Sequence, residues 1–266
     1  MLDDAGVAEY LDRIGAKRPE RPDLAGLRHL QERHVLSVPF ENIDYHLDRE
    51  IHLGEQAVDK IVRRRRGGGC YEVNSALAVL LEALGHQVEI LPGRVYRPDG
   101  LGPAMCHLAL RVTLEGDPWL VDAGFGRNSR HPLRFTTADV QRDPHGEYRV
   151  EAAAEGGFDV SLNGVPLYRI DDRACRLEDF GPTLWWWRSS PDSPFLQELF
   201  CSLALADGRV TLKGGRLVRI EGGERTIEKP SSDQDLLDAY RTHFGMVLDE
   251  LPDSGGANRT VGIQLT

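Results

Sequence analysis

Apolar residues recur at helical spacing through the first third of the chain. Leu2, Val7, Tyr10, Leu11 and Ile14 form one stripe, with Asp3 or Asp4 placed to cap it and Gly15 to end it. Leu24, Leu27 and Leu30 repeat the pattern after Asp23, and Pro39 ends that helix because its ring cannot continue it. A third helix is expected over residues 55–65, presenting Ala57, Val58, Ile61 and Val62 to the core. A fourth opens at Cys70, buries Val73, Leu77, Leu80, Leu81 and Leu84, and stops at Gly85.

From His86 onward the pattern alternates instead. Residues 87–96 read as a strand with Pro92-Gly93 as a bulge or kink, and residues 98–103 as a loop. Strands over 106–114 and 119–123, joined across Glu115-Gly116-Asp117, make an antiparallel hairpin. Further strands follow over 147–153, 158–162 and 165–170, the last two joined by the hairpin signal Asn163-Gly164. These compose a small antiparallel sheet or barrel. The last third is mixed: short helices over 173–180 and 193–199, strands over 203–205, 209–212 and 216–220, and a closing helix over 233–244. The tail around Ser254-Gly255-Gly256 is expected to be mobile.

Composition narrows the class. The 266 residues are 41% hydrophobic and 28% charged, as in a soluble globular protein. A net charge of −10 argues against a general nucleic-acid binder. The one basic run, Arg63, Arg64, Arg65 and Arg66, reads as a solvated helix end or as an attractor for a phosphorylated ligand. No apolar run approaches the ~18 residues of a membrane span, and residues 1–10 have no apolar targeting core. Four cysteines (Cys70, Cys106, Cys175, Cys201) are too sparse for a disulfide scaffold and show no metal-ligand spacing, so no metal is expected and the address is a reducing cytoplasm.

The candidate chemistry begins at Cys70. Three glycines precede it and a helix follows it, which places a thiol at the positive end of a helix dipole and favours the nucleophilic thiolate. Residue types alone leave a second reading open, because free cysteine is commonly a small buried hydrophobe. His107 stands 37 residues downstream on the first hairpin strand, and Asp122 a further 15 on, at the end of the second. Counted from the turn, with Leu114 opposite about Pro118, His107 pairs a couple of residues beyond Asp122; a bulge or a longer turn would close that offset. A thiol, an imidazole that holds its proton and a carboxylate that orients the ring suit acyl transfer or hydrolysis. Cys106 points to the opposite face from His107 and reads as core packing.

Arg66-Gly67-Gly68-Gly69-Cys70-Tyr71-Glu72-Val73-Asn74 resembles the nucleophile motif of the arylamine N-acetyltransferases. The resemblance extends in order through Val38-Pro39-Phe40-Glu41-Asn42-Ile43, Cys106-His107-Leu108, Leu120-Val121-Asp122-Ala123-Gly124-Phe125-Gly126 and Trp185-Trp186-Trp187-Arg188-Ser189-Ser190-Pro191-Asp192-Ser193-Pro194-Phe195, and then Asp207-Gly208-Arg209-Val210-Thr211-Leu212. It implies an α+β fold with a cysteine-proteinase-like core: a helical bundle carrying the nucleophile (1–85), an antiparallel β-barrel carrying His107 and Asp122 (86–185) and an α/β lid (186–266). It implies acetyl-CoA as donor, an acetyl-Cys70 thioester, and an arylamine or arylhydrazine acceptor. Backbone amides of Cys70 and Tyr71 would hold the oxyanion, Phe40 and Phe125 would line the pocket, and the loops at Gly102, Pro103 and Ala104 and at Gly124 and Gly126 would lie near the donor phosphates. The chain departs from the family pattern at Gly69, usually larger or aromatic, and at Cys106, usually Thr, which bears on the acceptor pocket. Asp192 in the Ser-Pro segment is a further departure, and none of the three touches the triad. Two neighbouring readings keep the triad: an amide synthase acting on a carrier-protein thioester, and a Cys-His-Asp hydrolase. A binding module would leave Cys70 chemically idle.

Overall fold

Asp3 accepts a hydrogen bond from the Gly6 amide at 2.8 Å and opens α1 (Asp4–Ile14), which Gly15 closes in the left-handed region at φ 63°. Asp23 caps α2 (Leu24–Val35) in the same way through Gly26. The structure, a computed structural model, describes residues 2–135 and 137–252, so the expectation for Ser254-Gly255-Gly256 falls outside the described residues. After Pro39 come β1 (Phe40–Glu41), α3 (Ile43–His46) and α4 (Glu55–Val58). The third expected helix does not remain α-helical: at Asp59 it widens into a π-turn, Asp59–Arg63. That turn buries three consecutive residues, Lys60, Ile61 and Val62, which one face of an α-helix cannot present together. α5 (Cys70–Ala83) is buried on nearly every side and forms the axis of the first third.

The strands that follow are β2 (Gln87–Arg97), β3 (Gly100–Leu101), β4 (His107–Leu114), β5 (Asp117–Val121) and β6 (Leu133–Arg134). β7 (Gln141–Asp143), β8 (Gly146–Ala152), β9 (Phe158–Leu162) and β10 (Val165–Ile170) complete the set. They form one antiparallel sheet in the order β6-β5-β4-β2-β10-β9-β8-β7, with β3 on β2. The Gln141 side-chain amide joins its two ends, accepting from Arg134 N at 2.7 Å and donating to Arg134 O at 3.0 Å, so the barrel is nearly closed. Leu91, Ala109, Leu120, Tyr148, Val160 and Ile170 fill its interior, while Leu108, Leu110 and Val112 on the other face of β4 join the core around α5. Pro92-Gly93 is not a bulge: Pro92 pairs with Leu108 and Gly93 with His107 in an unbroken register. Gly93 is required for close approach, since a Cβ there would lie 2.9 Å from Ile170 Cδ1 and 3.0 Å from Arg169 O.

A 3-10 turn, Leu177–Phe180, leads into α6 (Gly181–Ser189) and α7 (Pro194–Gln197). Then come β11 (Phe200–Leu205), β12 (Gly208–Lys213), β13 (Arg216–Glu221), β14 (Glu224–Glu228) and α8 (Asp233–Phe244). Only the end of the helix expected over 173–180 forms. α6 and β14 are additional; every residue of β14 is exposed, so it carries no apolar alternation to read. The lid sheet runs β1-β11-β12-β13-β14, which places a strand from the first third at its edge. Asn42 reinforces that junction, donating to Phe195 O at 2.8 Å and Glu198 O at 2.9 Å and accepting from Phe200 N at 2.8 Å. The result is the α+β arrangement of helical bundle, antiparallel barrel and α/β lid.

Candidate active site

Cys70 is the first residue of α5 and Gly69 its extended N-cap. The first amides of a helix have no intrahelical acceptor, so the thiol lies against a group of free donors and the positive end of the dipole. The glycines ahead of it serve close packing more than openness. A Cβ on Gly67 would fall 1.9 Å from Pro39 O, one on Gly68 2.6 Å from Glu72 Oε2, and one on Gly69 3.2 Å from Phe195 Cε1. Gly69 N donates to Glu72 Oε2 at 3.1 Å, which pins the turn from below.

His107 opens β4, and Asp122 immediately follows β5. The hairpin is tight: Leu114 pairs with Asp117 across Glu115 (φ 52°) and Gly116 (φ 91°), and Leu110 pairs with Val121. Neither a bulge nor a longer turn closes the offset expected from the sequence. The ladder ends at Val121 and the side chains span the remainder, placing His107 Nε2 2.9 Å from Asp122 Oδ2. The ring's other nitrogen is left for Cys70, whose thiol interacts electrostatically with the imidazole. All three side chains are buried.

Burial alone would lower the His107 pKa, but the Asp122 charge and hydrogen bond, with Cys70 adding to them, push it up to about 10. Burial conversely works to raise Asp122. It is outweighed by His107 and by hydrogen bonds from Asn74 and Gly124, and the carboxyl ends below its ordinary value. Asn74 is the organiser here. One turn after Cys70 on the same helix face, it donates to Leu108 O at 2.7 Å and to Asp122 Oδ1 at 2.8 Å, and it accepts from Ala123 N at 2.8 Å. Tyr168 is buried beside Asp122, and its ring centroid lies 4.5 Å from that of His107. Phe125 meets the imidazole edge-on at 5.2 Å. The motif around Cys70 contained Asn74, and its spacing of four could have singled it out; nothing in the sequence marked Tyr168.

Of the other expected site residues, Phe125 lies on the triad, and Phe40 stacks on Phe200 at 5.4 Å beside Gly126. The Gly124 amide donates to Asp122 Oδ1 at 2.9 Å, so it is spent inside the triad. The loop at Gly102, Pro103 and Ala104 is tied by Arg94 Nε to Gly102 O at 2.9 Å and by Thr183 Oγ1 of α6 to Ala104 O at 3.2 Å. Tyr71 is buried, with its hydroxyl donating to Met105 O. Of the tryptophans, Trp187 is core and Trp185 is 71% exposed, while Trp186 and Trp187 both lie under the Arg97 guanidinium. The arginine run divides: Arg63 and Arg64 are exposed and paired with Asp59, whereas Arg66 is buried between Glu41 and Asp44. Cys106 is buried with its sulfur 3.2 Å from Val95 N, as a packing residue should be. Among the described residues no cluster of metal-ligating side chains occurs, and no helix is long and apolar enough to cross a membrane.

Gly124 supplies a direct test of how tightly the site is built. Its φ is not positive, yet a Cβ there would lie 2.8 Å from the Cys70 Cα and 3.0 Å from Asn74 Nδ2. Gly124→Ala must therefore push the nucleophile helix away from the triad carboxylate. We expect about 1–3 kcal/mol of destabilisation from overpacking and a loss of about 100-fold in kcat/KM from the displacement, measured by urea denaturation and steady-state kinetics.

A buried thiol, imidazole and carboxylate brought together at a helix N-terminus define a cysteine-dependent acyl-transfer or hydrolase site on an α+β scaffold. Comparison with known proteins narrows this. The N-acetyltransferase family profile matches residues 23–252. The chain is 34% identical over 253 residues to the arylamine N-acetyltransferase of Mycolicibacterium smegmatis, covering 91% of this chain and 92% of the relative. Its structure superposes on the arylamine N-acetyltransferase of Salmonella typhimurium with a TM-score of 0.87 at 27% identity, over 96% of this chain and 95% of the other. It superposes on the Mycobacterium marinum arylamine N-acetyltransferase in complex with CoA with a TM-score of 0.82 at 31% identity, over 90% and 92% of the two chains. The chain belongs to the arylamine N-acetyltransferase family, and is an acyltransferase.

Proposed function

We propose that this chain transfers an acetyl group from acetyl-CoA to the nitrogen of an arylamine or arylhydrazine by a two-step exchange through Cys70. The observation that carries the reading is the convergence of buried Cys70, His107 and Asp122 at the start of α5, with His107 bonded to Asp122 and under the influence of Cys70. In the first step the sulfur of Cys70 attacks the thioester carbonyl. His107 holds the thiol proton and passes it to the departing CoA sulfur as the old carbon–sulfur bond breaks. In the second, the amine attacks acetyl-Cys70, His107 takes the amine proton, and it returns that proton to Cys70 as the amide leaves. Asp122 keeps the ring in the tautomer that presents a lone pair to sulfur. The backbone amides of Cys70 and Tyr71, free at the helix start, face the developing oxyanion.

Phe40 and Phe125 form apolar walls for the aryl ring, one on the lid side and one against His107. The donor's phosphates lie near the loop at Gly102, Pro103 and Ala104 and near Gly126; the engagement of the Gly124 amide with Asp122 leaves Gly124 a packing role at that end of the cradle. Four free cysteines suit work in a reducing cytoplasm, and the acidic composition suits small-molecule partners better than nucleic acid.

The test is mass spectrometry of the full chain after addition of acetyl-CoA without acceptor. One acetyl group should appear, located by peptide mapping at Cys70, and it should disappear when an arylamine such as 4-aminobenzoate or an arylhydrazine is added. An acetyl group elsewhere, or none, would overturn the reading. Discharge at the same rate with and without amine would show a hydrolase.

A further inference from the structure

We infer that Glu72 is a positioning residue for Cys70, and that it carries the one proton a buried charge cluster beneath the nucleophile exchanges with solvent. The inference rests on the reading of Cys70 as the acetyl acceptor, and it concerns a group the triad does not use.

The cluster has five members drawn from separate parts of the chain. Lys60 Nζ lies 2.7 Å from Glu72 Oε1, 2.7 Å from Asp44 Oδ2 and 3.7 Å from Glu41 Oε1. Arg66 Nη2 lies 2.8 Å from Glu41 Oε1 and 3.0 Å from Asp44 Oδ1. None of the five side chains is more than 7% exposed. Three carboxylates therefore face two cations, leaving one negative charge in excess where solvent cannot screen it, and one proton relieves that imbalance. Tyr45 also faces Glu72, and Cys201 and Tyr240 face Glu41; none of them adds a positive charge.

The proton goes to Glu72. Burial, reinforced by Glu41 and Asp44 against the opposing pull of Lys60, raises its carboxyl to about 7. In Asp44 the same burial is outweighed by Lys60 and Arg66, so that group stays below its ordinary value. Geometry supplies the consequence. Glu72 Oε1 accepts from Lys60 and Oε2 accepts from the Gly69 amide. A proton on either oxygen weakens a bond that oxygen accepts. Gly68 packs against this carboxylate so closely that a Cβ there would sit 2.6 Å from Oε2. Gly69 directly precedes the nucleophile, so loosening its amide loosens Cys70 against His107. The ionised form is the working form.

Stability runs in the opposite direction. Because the folded value lies above the unfolded one, the folded state binds this proton more tightly, so its contribution to stability is complete below the unfolded value near 4.5 and is lost as pH rises to about 7. A merely structural ion pair would make activity and stability rise together; Glu72 makes them part.

The experiment is single-turnover acylation of the full chain by acetyl-CoA across the pH range, on wild type and Glu72→Gln, with an infrared pH titration of each. Wild type should lose acylation rate toward acid with a midpoint near 7, and a carboxylic-acid carbonyl band should grow over the same range. Glu72→Gln should acylate about tenfold more slowly at alkaline pH, lack that acid limb, and lack the band. An unchanged limb in Glu72→Gln, or no band in wild type, overturns the inference; the wild-type band decides the matter even if the variant fails to fold. Absence of acetyl on Cys70 would instead remove the underlying reading, whereas acetyl-Cys70 with an unaltered limb removes only this one.

Discussion

Cys70→Ala and Cys70→Ser should each reduce acetyl transfer by at least about 10,000-fold, the scale seen when a covalent nucleophile is deleted. The serine variant matters more. It replaces one sulfur by one oxygen at a buried position, so it leaves a smaller cavity than alanine and a loss of activity is harder to ascribe to the core. A hydroxyl is far less acidic than a thiol, so its proton stays on oxygen in the ground state even with the Asp122-held imidazole of His107 beside it. Both variants should fold, because the bonds that shape this turn are made by backbone and by Glu72, not by sulfur. Thermal unfolding of the variants within a few degrees of wild type, with activity at background, is the expected pair of results. If the serine variant retained even a tenth of the activity, Cys70 would be a packing residue and the two-step exchange would fall.

Much of the architecture was legible because local signals agreed. Asp3, Asp23 and Gly15 mark helix ends that the structure realises, Asn163-Gly164 makes the expected turn, and the change of period at His86 marks the start of the barrel. The hairpin count placed the partner of His107 a couple of residues beyond Asp122, an offset that a bulge or a longer turn would close. Instead the ladder stops at Val121 and the side chains reach across, a diagonal contact that strand spacing allows but no residue type announces. Pro92-Gly93 misled because proline and glycine usually break a ladder; here the Pro92 carbonyl still accepts from Asp171 N at 2.9 Å, and Gly93 exists to admit Ile170. α6 begins at Gly181-Pro182 and carries three successive tryptophans, so its start resembles a loop and its body has no stripe.

The buried cluster was invisible for a different reason. Glu41, Asp44, Lys60, Arg66 and Glu72 look individually like surface charges, and Arg66 closes a run whose other members are solvated or paired at the surface. Only the π-turn that rotates Lys60 inward and the glycines that let the turn at Gly67 press on Pro39 bring them together. Arg66, which the sequence reading counts in a solvated helix end, thus joins four other charges in the floor on which the nucleophile's turn rests.

Asp122→Asn should lower kcat/KM by about 10,000-fold while leaving the fold intact. The reason lies in what surrounds the carboxylate. Oδ1 accepts from Asn74 Nδ2 at 2.8 Å and from Gly124 N at 2.9 Å, so an asparagine must place its own oxygen there. Its amide nitrogen then takes the place of Oδ2, 2.9 Å from His107 Nε2. Two donors cannot face each other, so the imidazole must leave Nε2 unprotonated and carry its proton on Nδ1, toward Cys70. A ring in that tautomer has no lone pair for the thiol proton, and the first step stalls. The same substitution removes the strongest influence raising His107, so its titration should move down from about 10. In wild type this raised value contributes stability that is complete below about 6.5 and is lost as pH climbs through 10. The stability gap between wild type and variant in urea should therefore be widest near neutral pH and narrow as pH approaches 10. A gap that stayed constant across that range, or a variant within tenfold of wild-type activity, would mean that Asp122 shapes the loop without holding the ring.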